Sequence, residues 1–235
     1  MNEKIFRDGM TELGTEVTEK QVQDFHKYSA LLKEWNEKMN LTAVTDDDGI
    51  AVKHFLDSIL PLYCVDFKDV KSIIDVGTGA GFPGLPIEIL RPDIKITLFD
   101  SLNKRINFLN AVKKELELSN VTCVHGRAEE FGKKEGYREE YDMAVSRAVA
   151  NMTVLCEYCL PFVKVGGMFL ALKAEGAEEE ISEAKAMIET LGGKIEDVIS
   201  IKLPQSDITR CIAAVRKVKK TPEKYPRRAD KIKKK

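Results

Sequence analysis

The chain has 235 residues, 43% of them hydrophobic and 32% charged, and a formal net charge of −1. That is enough for one sizeable α/β domain plus a modest extension, with the composition of an ordinary soluble protein rather than a disordered or fibrous one. The charged start Met1-Asn2-Glu3-Lys4 lacks the apolar segment of a signal peptide, and no apolar run reaches the roughly 18–20 residues of a membrane helix. A cytoplasmic protein with no membrane partner is therefore expected. Five scattered cysteines make no disulfide framework. Cys156 and Cys159 spell C-x-x-C without a second pair or a nearby histidine, so they read as packed thiols and no metal is expected.

Residues 1–60 contain no convincing strand. Val22, Phe25, Leu31, Leu32, Trp35 and Met39 recur at mostly three- and four-residue steps, which predicts an amphipathic helix. Thr18 and Gln21 fit a capping box at its start. Asn40-Leu41-Thr42 interrupts it, and Asp46 to Gly49 opens a second helix through His54-Phe55-Leu56-Asp57-Ser58, which Pro61 is expected to end.

From about residue 70 strands and helices alternate. The expected strands are Ser72–Val76, Ile94–Phe99, Val121–His125, Met143–Ser146, Met168–Leu172, Ile195–Leu203 and Cys211–Val218. Helices are expected over Pro86–Leu90, Lys104–Leu118, Met152–Leu160 and Glu178–Leu191. Parallel neighbours need crossover helices, so this alternation predicts a doubly wound parallel sheet. Only about seven residues, Pro204 to Arg210, join the last two strands, which predicts an antiparallel seventh strand.

Between the first strand and its helix lies Asp75-Val76-Gly77-Thr78-Gly79-Ala80-Gly81-Phe82-Pro83-Gly84, a loop with little side chain. Its backbone N–H groups are expected to approach a ligand closely. A dinucleotide fingerprint needs glycine at the first, third and sixth positions, but here Gly81 is fifth and Phe82 sixth. Ligands of open α/β sheets bind at the carboxyl ends of the strands, near the reversal of strand order. The residues due there are the glycine loop, then Asp100, Gly126-Arg127-Ala128-Glu129, Ser146-Arg147-Ala148 and Lys173. A carboxylate at Asp100 can accept hydrogen bonds from both ribose hydroxyls, or it can cap the following helix. Glu129 stands either beside an adenine edge or as a helix-start acid.

The D-x-G-x-G-x-G spacing resembles the cofactor loop of class I S-adenosylmethionine-dependent methyltransferases, and seven strands with an antiparallel last one resemble their Rossmann-like sheet. Six motifs occur in order: Asn40-Leu41-Thr42, His54-Phe55-Leu56-Asp57-Ser58, the Asp75-to-Gly84 loop, Asp100-Ser101-Leu102-Asn103-Lys104-Arg105, Ser146-Arg147-Ala148 and Ala171-Leu172-Lys173. Together they resemble the RsmG family, also called glucose-inhibited division protein B, over nearly the whole chain. The resemblance implies S-adenosylmethionine as cofactor and N7-methylation of one guanine in the decoding-region loop of 16S ribosomal RNA. It implies cofactor contacts at Gly77, Phe82, Ala128, Glu129 and Arg147; Gly79, Gly81 and Asp100 join them on the loop and ribose arguments. Residues 1–65 then form a helical extension, 66–218 the methyltransferase domain and 219–235 a basic tail.

Guanine N7 keeps an exposed lone pair, so no proton must leave before attack, and in-line placement of the reactants carries the transfer. No catalytic side chain is certain. Arg147 is the positioning candidate, able to touch the cofactor, hold the guanine O6 edge or clamp a phosphate. From Arg216 to Lys235 eleven Lys/Arg face two acids, a charge of +9 that leaves −10 on the rest of the chain. A basic arm on an acidic body suits a polyanion, although a solvated terminus has the same composition. Lys173, Tyr225, Arg227 and Arg228 are the RNA-binding candidates, with a structural salt bridge the alternative for Lys173. The expected partner is 16S RNA or the small ribosomal subunit, met by a monomer. The alternatives are a methyltransferase for another RNA, a protein or a small molecule, an NAD-dependent oxidoreductase, and a non-catalytic RNA-binding protein. The sixth-position Phe82 disfavours the second, and the third leaves the glycine loop without a purpose.

Overall fold

A computed structural model describes residues 1–147 and 149–232. Ala148 of the Ser146-Arg147-Ala148 motif and the last three lysines of the basic tail lie outside the described residues. The strands are β1 (Ser72–Val76), β2 (Lys95–Asp100), β3 (Val121–His125), β4 (Tyr141–Arg147), β5 (Val163–Ala174), β6 (Gly193–Lys202) and β7 (Thr209–Lys217). They form one sheet in the order β3-β2-β1-β4-β5-β7-β6. The first five pair in parallel, and β7 lies antiparallel between β5 and β6, as its short connection requires. β5 begins at Val163 rather than Met168, because its added residues reach across an irregularity in β4 to pair Val163 with Tyr141. Strand order reverses between β1 and β4, where a doubly wound sheet opens its crevice.

Both faces of the sheet are covered, and the period-two rule assigns side chains to each. Ile73, Met143, Val145 and Leu170 join one core with the Gly84–Leu90 and Asn103–Glu115 helices. Ile74, Ala144, Phe169 and Ala171 join the other, under the Met152–Cys159 helix. The stretch expected as one helix over 178–191 is two, Glu178–Glu183 and Lys185–Thr190. At Ala184 ψ opens to −9°, yet Ile181, Ala184 and Ile188 stay buried as one stripe, so the packing face survives the break.

The N-terminal helices share the first core. The Glu19–Met39 helix starts at the Thr18–Gln21 capping box and stops where Asn40 turns left-handed at φ 50°. An unexpected helix, Glu3–Glu12, precedes it, capped by Asn2 and burying Phe6 and Met10. Its sequence pattern is short and mostly polar, and contact with Phe25 and Phe55 stabilises what propensity alone does not. Pro61 does not end the second helical segment. It starts the further turn Pro61–Cys64, a position where its missing N–H costs nothing. Just before it, Ile50–Leu56 is wound as a π-helix, a form that is rare and concentrated at functional sites. None of the helices is long and apolar enough to cross a membrane among the described residues.

Candidate active site

Two cavities open on either side of the β1/β4 reversal. The smaller, about 190 Å³, is lined by Gly77, Asp100, Ser101, Ala128 and Glu129, with Val149, Tyr158 and Ala229 closing it. The larger, about 360 Å³, holds Lys53, His54, Asp57, Arg147, Lys173 and Arg210. Gly77, just past the end of β1, lines the smaller cavity and Arg147, at the end of the neighbouring β4, lines the larger, so the two open at adjacent strand ends. A still larger hollow, near Asp142 and Arg216, lies at the amino ends of the strands and does not meet the glycine loop.

The loop's own hydrogen bonds revise the expected amide cradle. Gly77 and Thr78 donate to the Phe99 carbonyl at 2.8 and 3.1 Å, Gly81 to Thr78 at 2.9 Å, and Gly79 to Asp100 Oδ2 at 2.9 Å. These four donors are thus spent on the protein itself rather than on a ligand. Gly77 needs its missing side chain. At φ +74° an added Cβ would lie 2.6 Å from Val149 Cγ2, in the cavity wall.

Asp75 anchors the loop from below. Fully buried, its Oδ2 accepts from Thr78 Oγ1 at 2.6 Å and the Gly84 amide at 2.8 Å. Burial pushes its carboxyl up to about 7, partly offset by those two donors. Asp100 is also buried, and its Oδ1 accepts from the Leu102 amide while Oδ2 takes Gly79 and Arg105. Three of its roughly four acceptor sites are thus engaged internally, so its first role is to tie the loop to the end of β2. Ala128 and Glu129 line the same cavity as Asp100, and Gly79 bonds it directly.

Phe82 and Gly81 sit away from that cavity. Phe82 is 5% exposed, stacked on Tyr28 at 5.4 Å and on His54 at 4.6 Å, with the Arg147 guanidinium 4.9 Å from its ring centroid. Tyr28 donates its hydroxyl to the Ala80 carbonyl, and an added Cβ at Gly81 would strike it. The helical extension therefore holds the glycine loop directly. Arg147 Nη1 donates to Asp57 Oδ2 at 2.9 Å and to the Lys53 carbonyl at 3.2 Å, and Arg210 Nε reaches Asp57 Oδ1 at 2.7 Å. One buried carboxylate thus orients two guanidiniums over the second cavity. His54 is neutral there, because burial first and the Arg147 charge second push it down to about 4. Its Nδ1 and Asp75 Oδ1 are buried without a hydrogen-bond partner among the described residues.

Several expected RNA contacts have partners within the protein. Lys173 Nζ donates to the Ala150 carbonyl at 2.6 Å and pairs with Glu180 at 2.7 Å. Arg227 is locked to the buried Glu157, and Tyr225 is half-buried in the second core. Lys217, counted in the basic arm, is fully buried against Glu139, and desolvation lowers it to about 8. Of the four candidates Arg228 keeps the most exposed side chain, with only a 3.5 Å contact to Asp230. From sequence Asp57, three residues after His54, can brace the helical extension against the sheet domain but carries no chemistry, and Arg210 has no role. Asp57 lies in a quoted motif, but nothing in the spacing tells that it meets Arg210, 153 residues away.

The donor set fits S-adenosylmethionine. A cavity walled by Val76, Phe99 and Ala128 and edged by the carboxylates of Asp100 and Glu129, with Arg127 3.7 Å from Glu129, suits a nucleoside with ribose hydroxyls, and the loop amides that would cradle a pyrophosphate are mostly bonded within the protein. With the 3-2-1-4-5-7-6 sheet, this defines a class I S-adenosylmethionine-dependent methyltransferase. The family model described as rRNA small subunit methyltransferase G matches residues 21–209. A ribosomal RNA small subunit methyltransferase G from Alkaliphilus metalliredigens is 52% identical over 224 residues, covering 95% of this chain and 94% of its own. The counterpart from Exiguobacterium sibiricum is 51% identical over 229 residues, covering 97% and 96%. Among solved structures, M. jannaschii TYW2 in complex with AdoMet shares the fold, with a TM-score of 0.51 and 16% identity over 64% of this chain and 70% of that one. The chain belongs to the rRNA small subunit methyltransferase G family.

Proposed function

We propose that the protein methylates N7 of one guanine in the decoding-region loop of 16S ribosomal RNA. The observation that carries this reading is the pair of cavities at adjacent strand ends, one holding Asp100 and Glu129 beside Gly77, the other lined by Arg147 and Arg210, both fixed by Asp57. S-adenosylmethionine, when bound, supplies a methyl group already activated on a sulfonium. The protein's task is then to bring N7 to about 3 Å in line with it, and such alignment can by itself contribute several kcal/mol.

A guanine entering the second cavity presents O6 and N7 as acceptors on one edge. A guanidinium that holds O6 leaves N7 free to attack. Arg147 and Arg210 are both fixed by Asp57, so neither must reorganise when the base arrives. The Asp57 carboxylate also offsets the repulsion a lone Arg147 would exert on the cationic 7-methylguanine product. Neutral His54 adds no further positive charge. Lys53 is exposed at the cavity rim, where it can meet RNA phosphate together with Arg228 on the tail. On this reading one cytoplasmic chain carries both cofactor and RNA.

The test supplies labelled S-adenosylmethionine with small-subunit RNA lacking the modification, as naked RNA and as particles. Reduction followed by chain scission at the labelled guanine is expected. Label on another atom, or on protein alone, would overturn the assignment.

A further inference from the structure

The basic tail was expected to be an RNA arm, yet most of its described length is built into the protein beside the cofactor cavity. Its described part, residues 219–232, forms a strap that Arg138 grips, donating to the carbonyls of Thr221 at 2.7 Å, Pro222 at 3.3 Å and Tyr225 at 2.9 Å. Glu139 accepts from the Thr221 amide at 2.7 Å. Further on, Glu157 is 0% exposed and takes three donors from one residue: the Arg227 amide at 2.5 Å, Nε at 3.0 Å and Nη2 at 2.7 Å. A bidentate buried pair of this kind is expensive to break from one side, because the other charge stays behind without a partner. Two residues past Arg227, Ala229 lines the cofactor cavity, and Ile232 is 2% exposed. The next residue after Glu157, Tyr158, lines the same cavity from its helix.

We propose that the C-terminal strap is a wall of the S-adenosylmethionine site, and that Glu157 and Arg227 are positioning residues which hold it there. This rests on the proposed cofactor reading of the smaller cavity. A wall that ends in exposed Arg228 and Lys231 also divides the tail's labour: its inner face closes on the nucleoside, and its outer charges remain available to a polyanion. Retention of cofactor thereby depends on a residue pair remote in sequence from every glycine-loop motif. RNA engagement of the outer face then bears on the same strap.

The experiment measures binding of S-adenosylhomocysteine to the full chain by calorimetry, and amide exchange over 221–232 with and without it. Arg227→Ala is expected to weaken binding about tenfold or more and to abolish ligand-induced protection of the strap. Glu157→Gln, which keeps the shape and an acceptor for the Arg227 amide, is expected to weaken it by a smaller factor. Lys220→Ala removes an equal charge from an exposed strap position and is expected to leave affinity unchanged. Unaltered affinity in both Arg227→Ala and Glu157→Gln, with strap exchange indifferent to ligand, overturns the proposal. Equal weakening by Lys220→Ala also overturns it, in favour of a general charge effect. Should the unaltered protein not bind S-adenosylhomocysteine at all, it is the cofactor reading of the cavity that fails.

Discussion

Asp57 is the most informative residue to change. Its carboxylate is 6% exposed and is held by Arg147 on one oxygen and Arg210 on the other, with those side chains 16% and 24% exposed. Asp57→Asn keeps the size but turns one oxygen into an NH₂ that must face a guanidinium. One charge-assisted hydrogen bond is lost, worth about 1.5–3 kcal/mol, and the other becomes neutral on its acceptor side. Full loss of a buried partner costs about 3–5 kcal/mol, so a conservative swap with some solvent access should destabilise by about 3 kcal/mol. For a chain of this size that lowers Tm by about 6–12 °C, at roughly 2–4 °C per kcal/mol. The functional effect should be confined to one cavity. Misplacing Arg147 by about 1 Å can cost on the order of a hundredfold in RNA methylation, whereas S-adenosylhomocysteine affinity should stay near the unaltered value, since Asp57 lines only the larger space. Calorimetric unfolding, ligand titration and single-turnover methylation separate these effects. An unchanged Tm with unchanged methylation would refute the orienting role. A parallel collapse of cofactor affinity would refute the division into two cavities.

Two further outcomes follow from the loop and from the extension's interface with the sheet domain. Gly77→Ala meets Val149 at 2.6 Å at φ +74°, while Gly79→Ala at φ +62° has nothing within 4 Å. Left-handed strain alone costs about 1–2 kcal/mol, so Gly77→Ala should lose more stability and more S-adenosylhomocysteine affinity, as read by thermal shift; the reverse order would contradict the wall assigned to Val149. Glu88 is buried, and desolvation, aided by the nearby Asp24 charge, raises its carboxyl to about 7. The folded protein thus keeps a proton that the unfolded chain has released above the ordinary carboxylate range, so this group's contribution to stability falls as pH rises from about 4.5 to 7. Glu88→Gln should raise Tm above that of the unaltered protein more at pH 8 than at pH 5, flattening the profile; an unchanged slope would show that the group ionises freely.

What was legible in the sequence followed from local rules. The Thr18–Gln21 box sets a helix start, the alternation of apolar runs with helical stretches sets all seven strands, with β5 starting five residues earlier than expected, and a seven-residue connection sets the antiparallel β7. The Glu3–Glu12 helix is not legible in the sequence because its stability is tertiary, from Phe6 against Phe25 and Phe55. Pro61 is ambiguous in sequence because proline stops one helix and starts another by the same missing N–H.

By itself the sequence determined the sheet, the glycine loop and the places where ligand-facing residues must emerge, because each depends on neighbours along the chain. Only the tertiary structure decided which charges meet. Asp57 pairs with Arg210 across 153 residues, Arg227 with Glu157 across 70, and Tyr28 holds Ala80 across 52. A side chain's spacing says which face it occupies, but its charge state and its availability to a ligand depend on what the fold brings against it. Burial and a fixed partner take Arg227 out of an apparent RNA arm and onto Glu157, and set Asp57 between two arginines of the larger cavity.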